Sequence, residues 1–399
     1  MADWSGLHQD LVICIAKQIV FLKDFHAFGA VCKPWRSAAT KDNFTGPSPL
    51  LMVSGWDESS TEANIRKLVH LKGRPEIYMN YKKQRCCYYS SLGWLMSISE
   101  DFKVSLLNPF DHHARIKLPD INMLKASVGE VKLPRFLHYD RMISKFVLSS
   151  CPFSSSDWIV VVSYEMVIGN GWGFCRLGDD KWTHVSWYLL MDLAYYNGQL
   201  YAVDIEGNIL ICDIQDLEQP KTSILLSKGI PMEPIYGGSR QRIYIVESAG
   251  VLLVVLHTFA KSSSIKTIKL RVFEVPFDKT EEWEWSNLEV KNLGNKTLFL
   301  GCKNSSYSIE ASEYYFGCKP NCIYFTIEWL DWVLLNSLPE INVDDVNMEY
   351  EKAELLLNGN ASVFIFNMED EKVEQLLAPT DLGLGEGETL WLQPQPPSL

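Results

Sequence analysis

The spacing of apolar residues divides the chain into two textures. Leu7, Leu11, Ile15 and Ile19 recur every four residues and Leu22 follows three later, which predicts an apolar stripe on one helix face. Asp24 is a candidate N-cap for a second short helix through Phe28 and Val31. Pro34 suits the first position of a third, because its missing N–H costs nothing there. Trp35, Ala38 and Ala39 are its expected buried side. Asn43 to Pro49 reads as a connector, since Gly46, Pro47 and Pro49 stop helix continuation.

From Leu50 onward the pattern is that of strands. Short apolar and β-branched runs are bounded by Gly, Asn, Asp and Pro. Examples are Trp158 to Tyr164, Gln199 to Asp204, Ile209 to Asp213, Ile243 to Glu247, Val251 to Leu256, Lys269 to Val275 and Ser362 to Asn367. One short helical turn is expected near Asp344 to Leu357. A weak repeat opens strands with apolar–Tyr pairs at Tyr201, Tyr244 and Tyr324, 43 and then 80 residues apart, and implies a period near 40 to 45 residues. Such a period suits four-stranded propeller blades, which must stack because one blade cannot bury both its faces. Dividing the remaining chain by it predicts about six to eight blades. A pair of β-sandwiches is the competing architecture.

Composition narrows the function. The chain has 399 residues, 47% of them hydrophobic and 22% charged, the balance of a folded protein. The net charge is −12, and without a basic excess nucleic acid is not expected as a partner. Between Asp331 and Leu399 there are 14 acidic and 2 basic residues, so the imbalance belongs to that segment. It predicts solvated loops, or an acidic sector that steers basic targets. No apolar run is long enough to cross a bilayer, and Met1 to Leu22 has neither a basic start nor an unbroken apolar stretch. Ten scattered cysteines then predict reduced thiols in the cytoplasm or nucleus.

The run Leu7-His8-Gln9-Asp10-Leu11, then Ile15-Ala16, Ile19, Asp24-Phe25 and Ala30-Val31-Cys32-Lys33-Pro34-Trp35-Arg36, resembles an F-box. It departs from the usual pattern at His8, where F-boxes carry Pro. A second resemblance covers most of the remainder. The chain is similar to plant F-box proteins carrying a KIB-type, Kelch-like β-propeller, through Phe174 to Thr183, Asp192 to Val203, Glu247 to Leu253, Asn292 to Gly301, Ser306 to Ser308 and Asn321 to Phe325. The resemblance implies a small all-α F-box of three helices (residues 1–45) followed by an all-β propeller (46–399). It further implies a substrate receptor of a Skp-cullin-F-box ubiquitin ligase that performs no bond chemistry. Leu7, Leu11, Ile15, Val31, Cys32 and Trp35 would then face or support a Skp-type adaptor, with Asp10 and Arg36 as polar neighbours. Alternatives are a propeller-fold hydrolase and an F-box scaffold outside ubiquitination.

Candidate chemistry in the sequence is sparse. Cys318 and Cys322, with Cys302 upstream, lack the fourth ligand of a structural zinc site, and Cys86-Cys87 would point to opposite strand faces, so no metal or other cofactor is expected. His112-His113 reads as an inter-strand loop, and Gly169 to Gly173 as a hairpin tip. Asp179-Asp180, and Asp204 with Glu206, sit beside turn signals rather than as opposed catalytic carboxyls. Trp172, Trp182, Trp187 and Tyr188 are candidate target anchors, with filling between blades as their alternative role.

Overall fold

Strands buried on both faces need apolar residues at odd and even positions alike, and this requirement organises the molecule. The computed structural model describes residues 4–17, 19, 22–40, 43, 49–55, 65–71, 75–79, 86–109, 111–121, 143–152, 155, 157–166, 169–186, 188–214, 220–232, 240–259, 268–277, 283–311, 317–327, 362–377 and 389–394. The N-terminal part holds helices α1 (Gln9–Ala16), α2 (Leu22–Ala30) and α3 (Lys33–Ala38).

Six sheets follow. The first contains β1 (Leu50–Gly55), β2 (Ile65–His70) and β3 (Pro75–Met79). The second is β4 (Cys86–Ser91), β5 (Trp94–Ser99), β6 (Val104–Asn108) and β7 (Asp111–Lys117). The third is β8 (Ile143–Leu148), β9 (Ile159–Met166), β10 (Gly169–Arg176) and β11 (Thr183–Ser186). The fourth is β12 (Leu190–Tyr196), β13 (Gln199–Asp204), β14 (Ile209–Asp213) and β15 (Lys221–Leu226). The fifth is β16 (Arg240–Ser248), β17 (Val251–Phe259), β18 (Lys269–Glu274) and β19 (Glu289–Val290). The sixth has five strands: β20 (Lys296–Leu300), β21 (Tyr307–Glu310), β22 (Cys322–Ile327), β23 (Ser362–Asn367) and β24 (Val373–Leu377). Here β20 pairs antiparallel with β21 on one side and parallel with β22 on the other. The last strand, β25 (Thr389–Leu392), returns to the first sheet and pairs with β1, with Leu51 opposite Trp391. That pairing closes the ring by placing the last strand in the same sheet as the first.

Between each pair of neighbouring blades lies a separate apolar cluster. On β13, Leu200 and Ala202 face the third blade, while Tyr201 and Val203 face the fifth. On β17, Leu252, Val254 and Leu256 face the fourth blade, and Leu253 and Val255 the sixth. At the seam, Leu50 and Met52 pack towards the second blade, and Leu51 and Val53 towards the sixth. The period of two is present, but with both faces apolar it reads as an unbroken hydrophobic run.

Two architectural expectations are corrected. The described residues form a ring of six blades, not the eight at the upper end of the expected range. In place of a separate three-helix domain, the described residues hold three small helices of 8, 9 and 6 residues, around Val12, Ala16, Phe25, Phe28 and Ala38. Helices this short are marginal by themselves, and five side chains make a small core. The expected boundary at residues 45 and 46, the acidic pair Asp344-Asp345, the turn at 344–357 and the acidic residues Glu386 and Glu388 lie outside the described residues.

The overestimate came from the repeat. Tyr201 lies on the second strand of its blade, Tyr244 on the first of the next and Tyr324 on β22, so the three are not equivalent. The marker that does recur is a turn between the first and second strands. Leu92-Gly93, Asn197-Gly198 and Ala249-Gly250 all have positive φ at both positions, as the tight turn of a two-residue hairpin demands. Real blades are also longer than the period: 57 residues separate Cys86 from Ile143, and 50 separate Leu190 from Arg240.

Other local expectations shift as well. His112-His113 belongs to β7, and Gly169 to Gly173 to β10, not to loops. Asp24 falls in the first turn of α2 rather than at its cap, and Pro34 enters α3 behind Lys33, with Cys32 as the cap residue.

One buried histidine makes the ring sensitive to acid. His257 on β17 is 1% exposed and meets the Phe325 ring edge-on at 4.9 Å. Burial, with Arg242 nearby, lowers its pKa to about 3. Below its ordinary value near 6.5, the unfolded chain binds a proton that the folded chain refuses, so stability falls as pH drops from about 6.5 towards 3. Urea unfolding at pH 7 and pH 5 should show the wild type losing about 2 kcal/mol more than a His257→Leu variant.

Candidate docking helices and the closed axis

Sequence places the candidate adaptor surface on the helices, and the structure sorts its residues by exposure. α1 opens at His8, whose φ of −60° is the value a proline would impose. Its Nδ1 accepts a hydrogen bond from the backbone N–H of Asp10 at 3.4 Å, and its carbonyl accepts from Leu11 and Val12. Histidine therefore keeps the backbone geometry of the usual proline and adds a cap.

The buried side of α1 is Val12 and Ala16, one position along from the Leu7–Leu11–Ile15 stripe. Leu7 and Ile15 are half-buried against this core, whereas Leu11 is 54% exposed and Val31 is 58% exposed. Asp10 and Arg36 are exposed, and Arg36 Nε donates to the Gly29 carbonyl at 3.3 Å. Cys32 is half-buried at the start of α3. Trp35 packs on Phe28 with ring centroids 4.8 Å apart, and its Nε1 donates to the Trp4 carbonyl at 3.2 Å. Leu11 and Val31 are thus free to meet a partner, while Trp35 supports the helices from within.

The candidate target anchors are distributed differently. Trp172 and Trp182 are both fully buried. Trp172 fills the space between the third and fourth blades, and its Nε1 donates to Ser186 Oγ at 2.9 Å and Thr222 Oγ1 at 3.1 Å. Trp182 lies between the second and third blades and donates to the Pro119 carbonyl at 3.0 Å. Neither ring presents surface to a partner. Tyr188 is half-buried against the same cluster as Trp172, and Trp187 lies outside the described residues.

At the ring's centre, sequence reasoning missed a buried ion pair. Lys145 on β8 and Asp192 on β12 meet at 2.9 Å with side chains 3% and 0% exposed. Lys145 Nζ also donates to the Gly301 carbonyl at 3.0 Å. Asp192 Oδ1 accepts from Leu193 N–H, and Oδ2 from Ile245 N–H at 3.0 Å and Ser306 Oγ at 3.4 Å. Burial pushes the Asp192 carboxyl up, and Lys145 and the two backbone donors pull against it. Every carboxylate oxygen is engaged, so the pair is built to hold blades together rather than to receive a substrate. An Asp inside a strand pattern, away from any turn residue, was the available signal.

The remaining polar candidates have structural employment. Asp204 Oδ1 accepts from the N–H groups of Glu206 and Asn208, both at 2.9 Å, and Asp179 Oδ2 from Arg176 N–H at 2.8 Å, which makes both turn formers. Cys318 and Cys322 are buried in the cluster between the sixth and first blades. Among the described residues, no group of three or more His, Cys, Asp or Glu could hold a metal ion, and no helix is long and apolar enough to cross a membrane.

With this geometry in place, comparison with known proteins is decisive for the ring. The family model described as KIB1-4 beta-propeller matches residues 60–367. The chain belongs to the KIB1-4 beta-propeller family. The match does not extend over α1 to α3. The chain is also similar to F-box protein At2g26160 of Arabidopsis thaliana, 26% identical over 346 residues that cover 81% of this chain and 95% of that protein. F-box protein SKIP23 of Arabidopsis thaliana is 24% identical over 373 residues, covering 82% of this chain and 84% of that protein.

The axial ion pair is testable within this KIB1-4 propeller. Lys145→Met or Asp192→Asn alone leaves one buried charge without its partner and should cost about 3–5 kcal/mol. The double variant removes both charges and should cost no more than either single change. Urea unfolding of the three variants measures the coupling, and additive losses would show that the two groups act separately.

Proposed function

We propose that the protein is a non-catalytic substrate receptor of a Skp-cullin-F-box ubiquitin ligase, acting in the cytoplasm or nucleus. The helical segment docks on a Skp-type adaptor, through it on a cullin-RING ligase, and the propeller captures a target protein. Both Arabidopsis relatives carry the name F-box protein, and their similarity spans most of this chain.

The observation that carries this reading is the exposure of apolar side chains. Of seven exposed large hydrophobic residues among the described positions, Trp4, Leu11 and Val31 fall in the short helical part. Large apolar groups held in water favour association, each gaining about 1.5–3 kcal/mol on full burial. The chemistry needed of such a receptor is proximity. Holding a target beside a charged ubiquitin carrier raises the local concentration of its lysines without any bond made by the receptor. The target would be captured on loops at a face of the ring, since the buried Lys145–Asp192 pair at the inner edge has its hydrogen-bonding positions taken by protein groups.

Leu11→Asp with Val31→Asp tests the docking. Both positions are more than half exposed, so the helices should keep their circular dichroism signal. Co-purification with a Skp-type adaptor should fall at least about tenfold, equivalent to about 1.4 kcal/mol. Equal retention of wild type and double variant would remove the docking proposal.

A further inference from the structure

The inner edge of the propeller is bonded all the way round, and one short segment reaches across it. Between β20 and β21 the chain runs from Gly301 to Ser306. Gly301 is bonded to Lys145 of the third blade. Cys302 Sγ meets the guanidinium of Arg242 in the fifth. In the second blade, Ser90 N–H donates to the Lys303 carbonyl at 2.9 Å, and Ser305 N–H donates back to the Ser90 carbonyl at 2.8 Å. The ammonium of Lys303 lies over the Tyr89 ring. Asn304, 1% exposed, accepts through Oδ1 from Trp391 N–H of the first blade at 3.4 Å. Ser306 Oγ donates to Asp192 of the fourth. Six consecutive residues thus contact all five other blades.

We propose that residues 301–306 form an axial strap, an internal ligand of the ring that couples the inner edges of all six blades. Three observations support a dedicated structure. Gly301 is required by its own strap, because a Cβ there would collide with the Asn304 side chain. The sixth blade departs from the four-stranded pattern at this place: β21 is an added inner strand, and the strap is the loop that leads into it. The neighbouring blades are joined around the strap by side chains of the same inner strands. Ser90 Oγ donates to the Trp391 carbonyl, Ser91 Oγ accepts from Leu148 N–H at 3.0 Å, and Ser248 shares a hydrogen bond with Ser308 at 2.8 Å. Tyr307 completes the circuit by donating to the Leu392 carbonyl at 3.2 Å. A loop in a polar cavity would be satisfied by local partners or water. This one spends its backbone and side-chain groups on strands up to 215 positions away in sequence. The strap fills the axis with protein and makes opening of one blade's inner edge a perturbation of the others. The inference is independent of the receptor reading.

Hydrogen exchange on the full chain tests it. Asn304→Ala should accelerate amide exchange at least about tenfold in β25, β4 and β8, far from the changed residue in sequence. Val373→Ala, on the outer side of the same blade, should accelerate exchange in β23 and β24 but not in β25, β4 or β8. If Asn304→Ala fails to fold, Ser305→Ala is read instead, since it loses only the 3.0 Å bond to Ser91 Oγ and the weaker one to the Ser90 carbonyl. Faster exchange of β4 in that variant supports the strap. Acceleration confined to residues 296–310 in either variant overturns it.

Discussion

The structure depends on satisfying polar groups at the centre of a ring whose walls are apolar. Six blades bring six inner strands together, and their backbone and side-chain groups there have little water to bond. The Lys145–Asp192 pair is the strongest element of the solution. It links the third and fourth blades, reaches the fifth through Ile245, and takes hold of the sixth through Gly301 and Ser306. A buried ion pair is at best a modest source of net stability, because desolvation offsets the attraction. Its value here is geometric. Two charges with all their hydrogen-bonding positions occupied admit few alternative arrangements of the blades they join.

Outside this polar centre, the ring rests on repeated apolar contact. Each blade divides its alternate residues between two neighbours, so no blade can be assigned a core of its own. The seam between β1 and β25 uses the same division, with Leu390 and Leu392 on one side and Trp391 on the other. The ring therefore closes with the packing it uses elsewhere. The large aromatic residues serve this packing. Trp172 and Trp182 look like binding anchors in a sequence because aromatic residues near turns often are, yet their indole N–H groups are spent on partners within and between blades.

The helical segment follows another logic. Its five-residue core leaves Trp4, Leu11 and Val31 in solvent, whereas Trp35 is half-buried against it. His8 shows how a departure from a motif can keep the physics of that motif, since its φ and its cap do the work expected of proline at a helix start. A functional surface on these helices would lie beside the core stripe rather than on it.

What was legible in the sequence was local. All seven strands proposed from apolar runs are present, and β13, β14 and β23 have the expected limits. Strand type follows from residue chemistry and the period of two, which need no knowledge of distant neighbours. Blade count, the role of each tryptophan and the axial ion pair were not legible. They depend on which strands become inner strands and on contacts such as Lys145 with Asp192, or Ser90 with Asn304, between residues far apart in the chain. An Asp in a strand pattern says that a partner must exist if the strand is buried. Only the closed ring, by bringing six inner edges within bonding distance of one another, decides which partner that is.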